Sequence, residues 1–155
     1  MKYYIGLITA FLFVGCIKEG STSYRATIIN PTMHTIECRP YYAGAVPPAN
    51  VFKIGANDTL EIALGSDRGI VGRAGFNPKY FLGADSILVV YDNLYSIIHY
   101  GITPVTLNPR HYLYSSLRNI GNQLSYEYTF TDHSKWFRSS NYKYIFTEQD
   151  YLDAK

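Results

Sequence analysis

Ser86-Ile-Leu-Val-Val-Tyr91 runs into Asp92-Asn93-Leu94, and Tyr95-Ser-Ile-Ile-His-Tyr100 follows. The first segment is an unbroken apolar run carrying the β-branched residues Ile87, Val89 and Val90. Such side chains are stiff at χ1 and fit a pleated surface, so the run reads as a central strand covered on both faces. Asp and Asn both tolerate φ > 0, and the pair between two such runs is a tight-turn signal. The stretch therefore predicts an antiparallel hairpin, 86–91 with 95–100, and that hairpin sets the class of the fold.

Upstream, Tyr24–Asn30 reads as a strand, Asn30-Pro31-Thr32 as a turn, and His34–Arg39 as a second strand forming a hairpin with the first. Pro40 closes that unit, and Ala43–Asn50, with Pro47-Pro48, is a loop. Val51–Ile54 is a short strand, and Gly55–Asp58 turns the chain. Thr59–Leu64 alternates, with Leu60, Ile62 and Leu64 on one face. Gly65–Pro78 carries four glycines and reads as a long mobile loop around a brief Ile70-Val71 strand.

Downstream, Asn108-Pro109 offers an N-cap and a proline at the first helical position, which predicts a short helix over His111–Asn119. Tyr126–Thr131 alternates, placing Tyr126, Tyr128 and Phe130 together. Asp132–Asn141 reads as a polar loop holding Trp136-Phe137, and Tyr142–Phe146 as the last strand. Thr147-Glu148-Gln149-Asp150 has the capping-box pattern for a final helical turn. Short strands separated by turns every eight to twelve residues or so are the mark of a sandwich or small barrel. The expected fold is all-β: a single antiparallel β-sandwich over residues 24–155, Ig-like or similar, of about seven to eight strands, with one or two short helices.

Composition agrees. Sixteen tyrosines and eight phenylalanines among 155 residues favour strands. The formal net charge is +2, which gives the chain no electrostatic reason to hold nucleic acid. The chain has two cysteines, Cys16 and Cys38. Cys38 shares a strand face with Ile36 and reads as a small buried hydrophobe.

The N-terminus has its own pattern. Lys2 is followed by an apolar run from Tyr3 to Val14, well short of the roughly 20 helical residues that span a bilayer. A basic start, a short apolar core and a small residue are the order of a secretory signal. Phe13-Val14-Gly15-Cys16 resembles the lipobox of bacterial lipoproteins, with Phe13 where leucine is usual. The resemblance implies removal of residues 1–15 as a signal peptide and palmitate-type acylation of Cys16. It also implies a lipidated tether over 16–23 and a membrane partner reached through that lipid. Cys16-Ile17-Lys18-Glu19 is similar in part to the surface-export signal of Bacteroidota-type lipoproteins, and a plain solvated tether accounts for it equally. Gly20-Ser-Thr-Ser23 reads as a flexible linker. With the lipobox, the opening Tyr24–Asn30, Asp85–Val89 and the closing Phe146–Leu152 resemble small uncharacterised lipoproteins of gut Bacteroidota. That implies lipid anchoring at the outer membrane, on its periplasmic or its surface face, and no assigned reaction.

No residue pattern points to catalysis. The four histidines, His34, His99, His111 and His133, lack metal-ligand spacing to one another or to cysteine. No Gly-x-Ser-x-Gly occurs, and the glycines at 65–75 lack the Lys-Ser/Thr and the helix of a phosphate loop. Asp58-Thr59-Leu60 and Asp85-Ser86-Ile87 resemble a short Bacteroidota O-glycosylation motif, and both equally suit strand-start turn chemistry. Tyr41, Tyr42 and Trp136 are the candidate ligand-binding aromatics, for a glycan or a peptide. No cofactor or metal is expected. The function expected is a non-enzymatic interaction or accessory module of the cell envelope, with an envelope assembly factor and a hydrolase as alternatives.

Overall fold

The computed structural model describes residues 20–46, 50–69, 84–134 and 136–155. The lipobox, Cys16 and the Ile70-Val71 strand lie outside these residues. In chain order the strands are β1 (Gly20–Asn30), β2 (Ile36–Tyr41), β3 (Phe52–Ile54), β4 (Asp58–Gly69), β5 (Ser86–Tyr91), β6 (Tyr95–Tyr100), β7 (His111–Tyr112), β8 (Glu127–Ser134) and β9 (Phe137–Ile145). A C-terminal helix, α1 (Glu148–Ala154), follows. One sheet has the order β4-β1-β9-β8 and the other β3-β2-β5-β6-β7. They share one core in a sandwich-like arrangement. Ile28, Tyr142 and Tyr144 of the first sheet pack in the same cluster as Ile36, Cys38, Val89, Tyr91 and Ile97 of the second.

The β5–β6 hairpin forms as its sequence predicts, with Tyr91 opposite Tyr95 and Ser86 opposite Tyr100. Asp92 and Asn93 both take left-handed φ, 50° and 58°, and Leu94 N–H donates to Tyr91 O at 2.9 Å. β5 sits in the middle of its sheet between β2 and β6, as expected for its apolar run.

Several expectations are corrected. β1 and β2 do not pair, because they belong to different sheets. The reason is the buried side chain of Asn30. Its Nδ2 donates to His34 O and Gly55 O, both at 2.7 Å, and its Oδ1 accepts from Thr32 N and Oγ1. This asparagine ties the turn to the β3–β4 connection and swings the chain across the core. Nor are the sheets purely antiparallel: β1 runs parallel to β9, and β6 to β7. Gly20–Ser23, read as linker, is the start of β1, and Gly65–Gly69, read as loop, continues β4 past a bulge opposite Tyr24/Arg25. Asp132–Asn141 is no loop, since β8 and β9 close on each other there as a hairpin.

No helix forms over His111–Asn119. Two residues pair as β7, and the chain then turns repeatedly. Asn119 Nδ2 donates to Tyr100 O and Tyr112 O at 2.9 and 3.1 Å, and its Oδ1 accepts from Gly121 N. Asn122 donates to Ser116 O and caps a 3₁₀ turn at Gln123–Ser125. Side-chain amides take the backbone groups that a helix would use, which is how asparagine competes with helices.

The capping box at Thr147 and Asp150 starts α1 as expected. The buried Asp150 carboxylate does more than cap. Oδ2 accepts from Thr147 N and Oγ1 at 2.7 and 2.8 Å, and Oδ1 meets Arg118 Nη2 at 3.0 Å. Arg118 Nη1 reaches Asp153 Oδ2 at 2.9 Å, and Tyr112 Oη donates to the same oxygen. Tyr144 Oη donates to Arg118 O at 2.7 Å. This clasp holds α1 and the 112–120 segment over the end of the core. Removing one partner of a buried ion pair leaves the other uncompensated, which typically costs about 3–5 kcal/mol. Because Arg118 keeps Asp153, Asp150→Ala should lose about 2–3 kcal/mol by urea denaturation, at the lower end of that range or just below it. Asp153→Ala, at the exposed side of the clasp, should lose about 1 kcal/mol or less.

Candidate functional site

β8 is the edge of its sheet, and among the described residues it pairs with β9 alone. All eight of its residues are exposed. Alternation puts Tyr128, Phe130 and Asp132 on the face shared with Tyr142 and Ser140 of β9, and Glu127, Thr129, Thr131 and His133 on the other. The first set lies on the core side of the sheet but outside the core. The packing stops at Tyr142, whose ring lies 4.9 Å from that of Tyr128. Tyr128 and Phe130 are thus 53% and 46% exposed, and Trp136 and Phe137 at the hairpin tip 40% and 42%. The rings are held rather than loose. Tyr128 Oη lies 3.3 Å from Ser140 Oγ, and the Arg138 guanidinium stands 5.8 Å over the Phe130 ring while pairing with Asp132 at 2.9 Å. An exposed strand edge flanked by half-held aromatic rings is a template for a further strand or an apolar partner.

The tip is closed by its own side chains. Ser134 Oγ accepts from Trp136 N and Phe137 N at 3.2 and 3.1 Å. Trp136 O accepts from Ser21 N at 2.8 Å, so the start of β1 is fastened to the tip. The other candidate aromatics lie elsewhere. Tyr41 ends β2 in the second sheet, opposite Ser86, and Tyr42 bridges to Ala45. The structure places Trp136 and Phe137 at the tip of one hairpin, with the Phe137 ring 5.0 Å from His133 on the face opposite Phe130, and places Tyr41 and Tyr42 on the other sheet.

Among the described residues, His99 and Cys38 are enclosed, and Asp58 and Asp85 are engaged with backbone amides. His99 is fully buried, and its Nδ1 accepts from Ile120 N at 2.9 Å, so the proton of the neutral ring sits on Nε2. Burial, with Arg118 nearby, pulls its pKa down to about 3. Its ring meets Tyr112 edge to face at 5.0 Å. Cys38 is buried and free of disulfide, and burial pushes its thiol pKa up, away from the reactive thiolate. Among the described residues no group of three or more His, Cys, Asp and Glu side chains could hold a metal. Gly65–Gly69 is strand and forms no phosphate cradle. Asp58 and Asp85, at the starts of β4 and β5, bond backbone amides: Asp58 accepts from Thr59 N and Asp85 from Ala43 N.

At the opposite end of β1 from the tip lies a cluster that sequence reading missed. His34 Nδ1 is 2.6 Å from Asp92 Oδ2, and its Nε2 is 3.4 Å from Glu148 Oε1. Its ring stacks on Tyr151 at 3.6 Å. Asp92 also accepts from Thr35 N at 2.8 Å. Residues 58 and 114 positions away from His34 meet it, so no local motif announces the cluster.

Comparison with protein-family models, with curated proteins and with solved structures returns no match.

Burial alone would lower the His34 pKa, but hydrogen bonds and charge from Asp92 and Glu148 outweigh it and raise the pKa above its ordinary value. The stability this cluster contributes is complete below the ordinary histidine pKa of about 6.5 and lost as pH rises through the folded value. Melting temperature of the wild type should therefore fall on the alkaline side of about pH 6.5, and His34→Gln should flatten that fall.

Proposed function

We propose that this chain is a non-enzymatic interaction module of a bacterial envelope, held at the outer membrane by lipid on Cys16. Residues 1–15 act as the signal peptide, and the tether proper is 16–19, because β1 begins at Gly20. The observation that carries the reading is the exposed β8 edge with Tyr128 and Phe130 beside it. Main-chain groups on such an edge supply affinity to an extended segment of a partner protein, and alternate side chains supply specificity. The edge also supports the assembly-factor reading, since strand addition is how envelope subunits are commonly joined. A glycan at the aromatic rings is the competing ligand. An Ig-like topology is kept as a proposal for the finer description of the sandwich. Among the described residues His99 is enclosed and Cys38 buried, so neither supports a hydrolase reading.

Two measurements test the reading. Metabolic palmitate labelling should mark the wild type, and Cys16→Ala should lose the label and the membrane association together. An unlabelled wild type removes the anchor from the reading. A photo-reactive residue at Thr129, on the exposed edge, should yield a discrete protein adduct in intact cells. Phe130→Ser should reduce that adduct several-fold at unchanged melting temperature, since hot-spot aromatics are worth about 2 kcal/mol or more at an interface. Polysaccharide adducts alone would transfer the edge to the glycan reading.

A further inference from the structure

The start of β1 and the β8–β9 tip occupy the same end of the first sheet. Ser21 is in register with Phe137 on parallel strands, and Ser21 N–H donates to Trp136 O at 2.8 Å. Cys16 precedes Gly20 by four residues, a contour of at most about 14 Å. Acyl chains on the Cys16 sulfur begin at the hydrocarbon boundary, and the headgroup layer above it is about 5–8 Å thick. The tether is thus too short to lift the tip far clear of the headgroups.

The tip also has the chemistry of an interfacial element. Trp136 and Phe137 are both exposed there, with the Phe137 ring 5.0 Å from that of His133. Aromatic rings with a polar handle are enriched at the membrane–water boundary. Entry of backbone into that layer is unfavourable where N–H and C=O groups lose water without a replacement. Here Trp136 N and Phe137 N both donate to Ser134 Oγ, and Trp136 O is taken by Ser21. Among the described residues of the tip, Arg138 pairs with Asp132 at 2.9 Å, and His133 Nε2 bonds Ser139 Oγ at 2.7 Å.

We propose that the β8–β9 tip, through Trp136 and Phe137, seats in the phospholipid headgroup layer beside the acyl anchor. It holds the domain in one orientation on the membrane. The inference rests on the anchoring of Cys16. With the tip down, β8 rises away from the bilayer and its open edge faces sideways, clear of lipid.

Trp136 is the single tryptophan of the chain, so its emission reports on the tip alone. The full anchored chain is reconstituted into vesicles of phosphatidylcholine and phosphatidylglycerol. Expected are a shift of emission to shorter wavelength and quenching by lipid brominated high on the acyl chain. Emission and acrylamide quenching equal to those of Cys16→Ala in buffer would overturn the proposal. If palmitate labelling shows Cys16 unacylated, its thiol is coupled to a maleimide-bearing lipid in the same vesicles. Buried Cys38 stays unreacted, and the anchor sits at the same residue. The shift is expected again, and its absence again overturns the tip, so failure of the tip is read apart from failure of the lipidation. Phe137→Ser keeps the reporter and removes an exposed ring. It should lose most of the bromine quenching at unchanged melting temperature, and undiminished quenching would take Phe137 out of the contact.

Discussion

The Asp150 carboxylate is the constraint on which the closed end of the molecule depends. It has little access to water, and three donors compensate it: Thr147 N and Oγ1 and the Arg118 guanidinium, while Tyr112 Oη, whose proton goes to Asp153, stands 3.2 Å away. The three residues involved come from different stretches of an otherwise irregular region. Arg118 sits among turns, Tyr112 on a two-residue strand, and Thr147 at the start of a seven-residue helix. None of these elements is long enough to be stable alone. They hold one another because a buried charge without partners is costly. His99 and Tyr144 then have fixed neighbours, and the aromatic core under α1 closes on Tyr91, Phe146 and Tyr151.

What could be read from the sequence was what is local. The β5–β6 hairpin needs only two apolar runs and an Asp-Asn turn, and both strands are found where those residues stand. The capping box of α1 is equally local. The β1–β2 pairing failed because a buried asparagine, bonded to Gly55 O across 25 positions, overrides the turn signal of Asn30-Pro31. The helix over 111–119 failed because Asn119 and Asn122 satisfy backbone groups by side chain. For the candidate site, alternation grouped Tyr126, Tyr128 and Phe130 correctly on one face. It was silent on which strand would be the edge, so it could not separate buried Tyr126 from exposed Phe130. Trp136 stood out as an aromatic in polar surroundings, but its fastening to Ser21 joins chain ends 115 positions apart and leaves no trace in either segment.

The two ends of the first sheet differ in chemistry. At one end Asp92, Glu148 and His34 join the β1–β2 turn, the β5–β6 turn and α1 through ionisable contacts. At the other, the β8–β9 tip and the start of β1 meet through backbone and hydroxyl hydrogen bonds under exposed rings. β1 spans the distance between them, about 33 Å for its eleven residues. A titration at the His34 end therefore acts on the helix and turns, far from the tip and the open edge.

The position of β1 also decides how the domain bears load. It lies inside its sheet, antiparallel to β4 and parallel to β9 along nearly its whole length. A pull arriving at Gly20 runs along the strand axis, across the direction of the ladder hydrogen bonds. Those bonds are strained together in shear, where a strand at the sheet margin would peel one bond at a time. A pull entering the described domain at Gly20 thus loads both ladders of β1 at once.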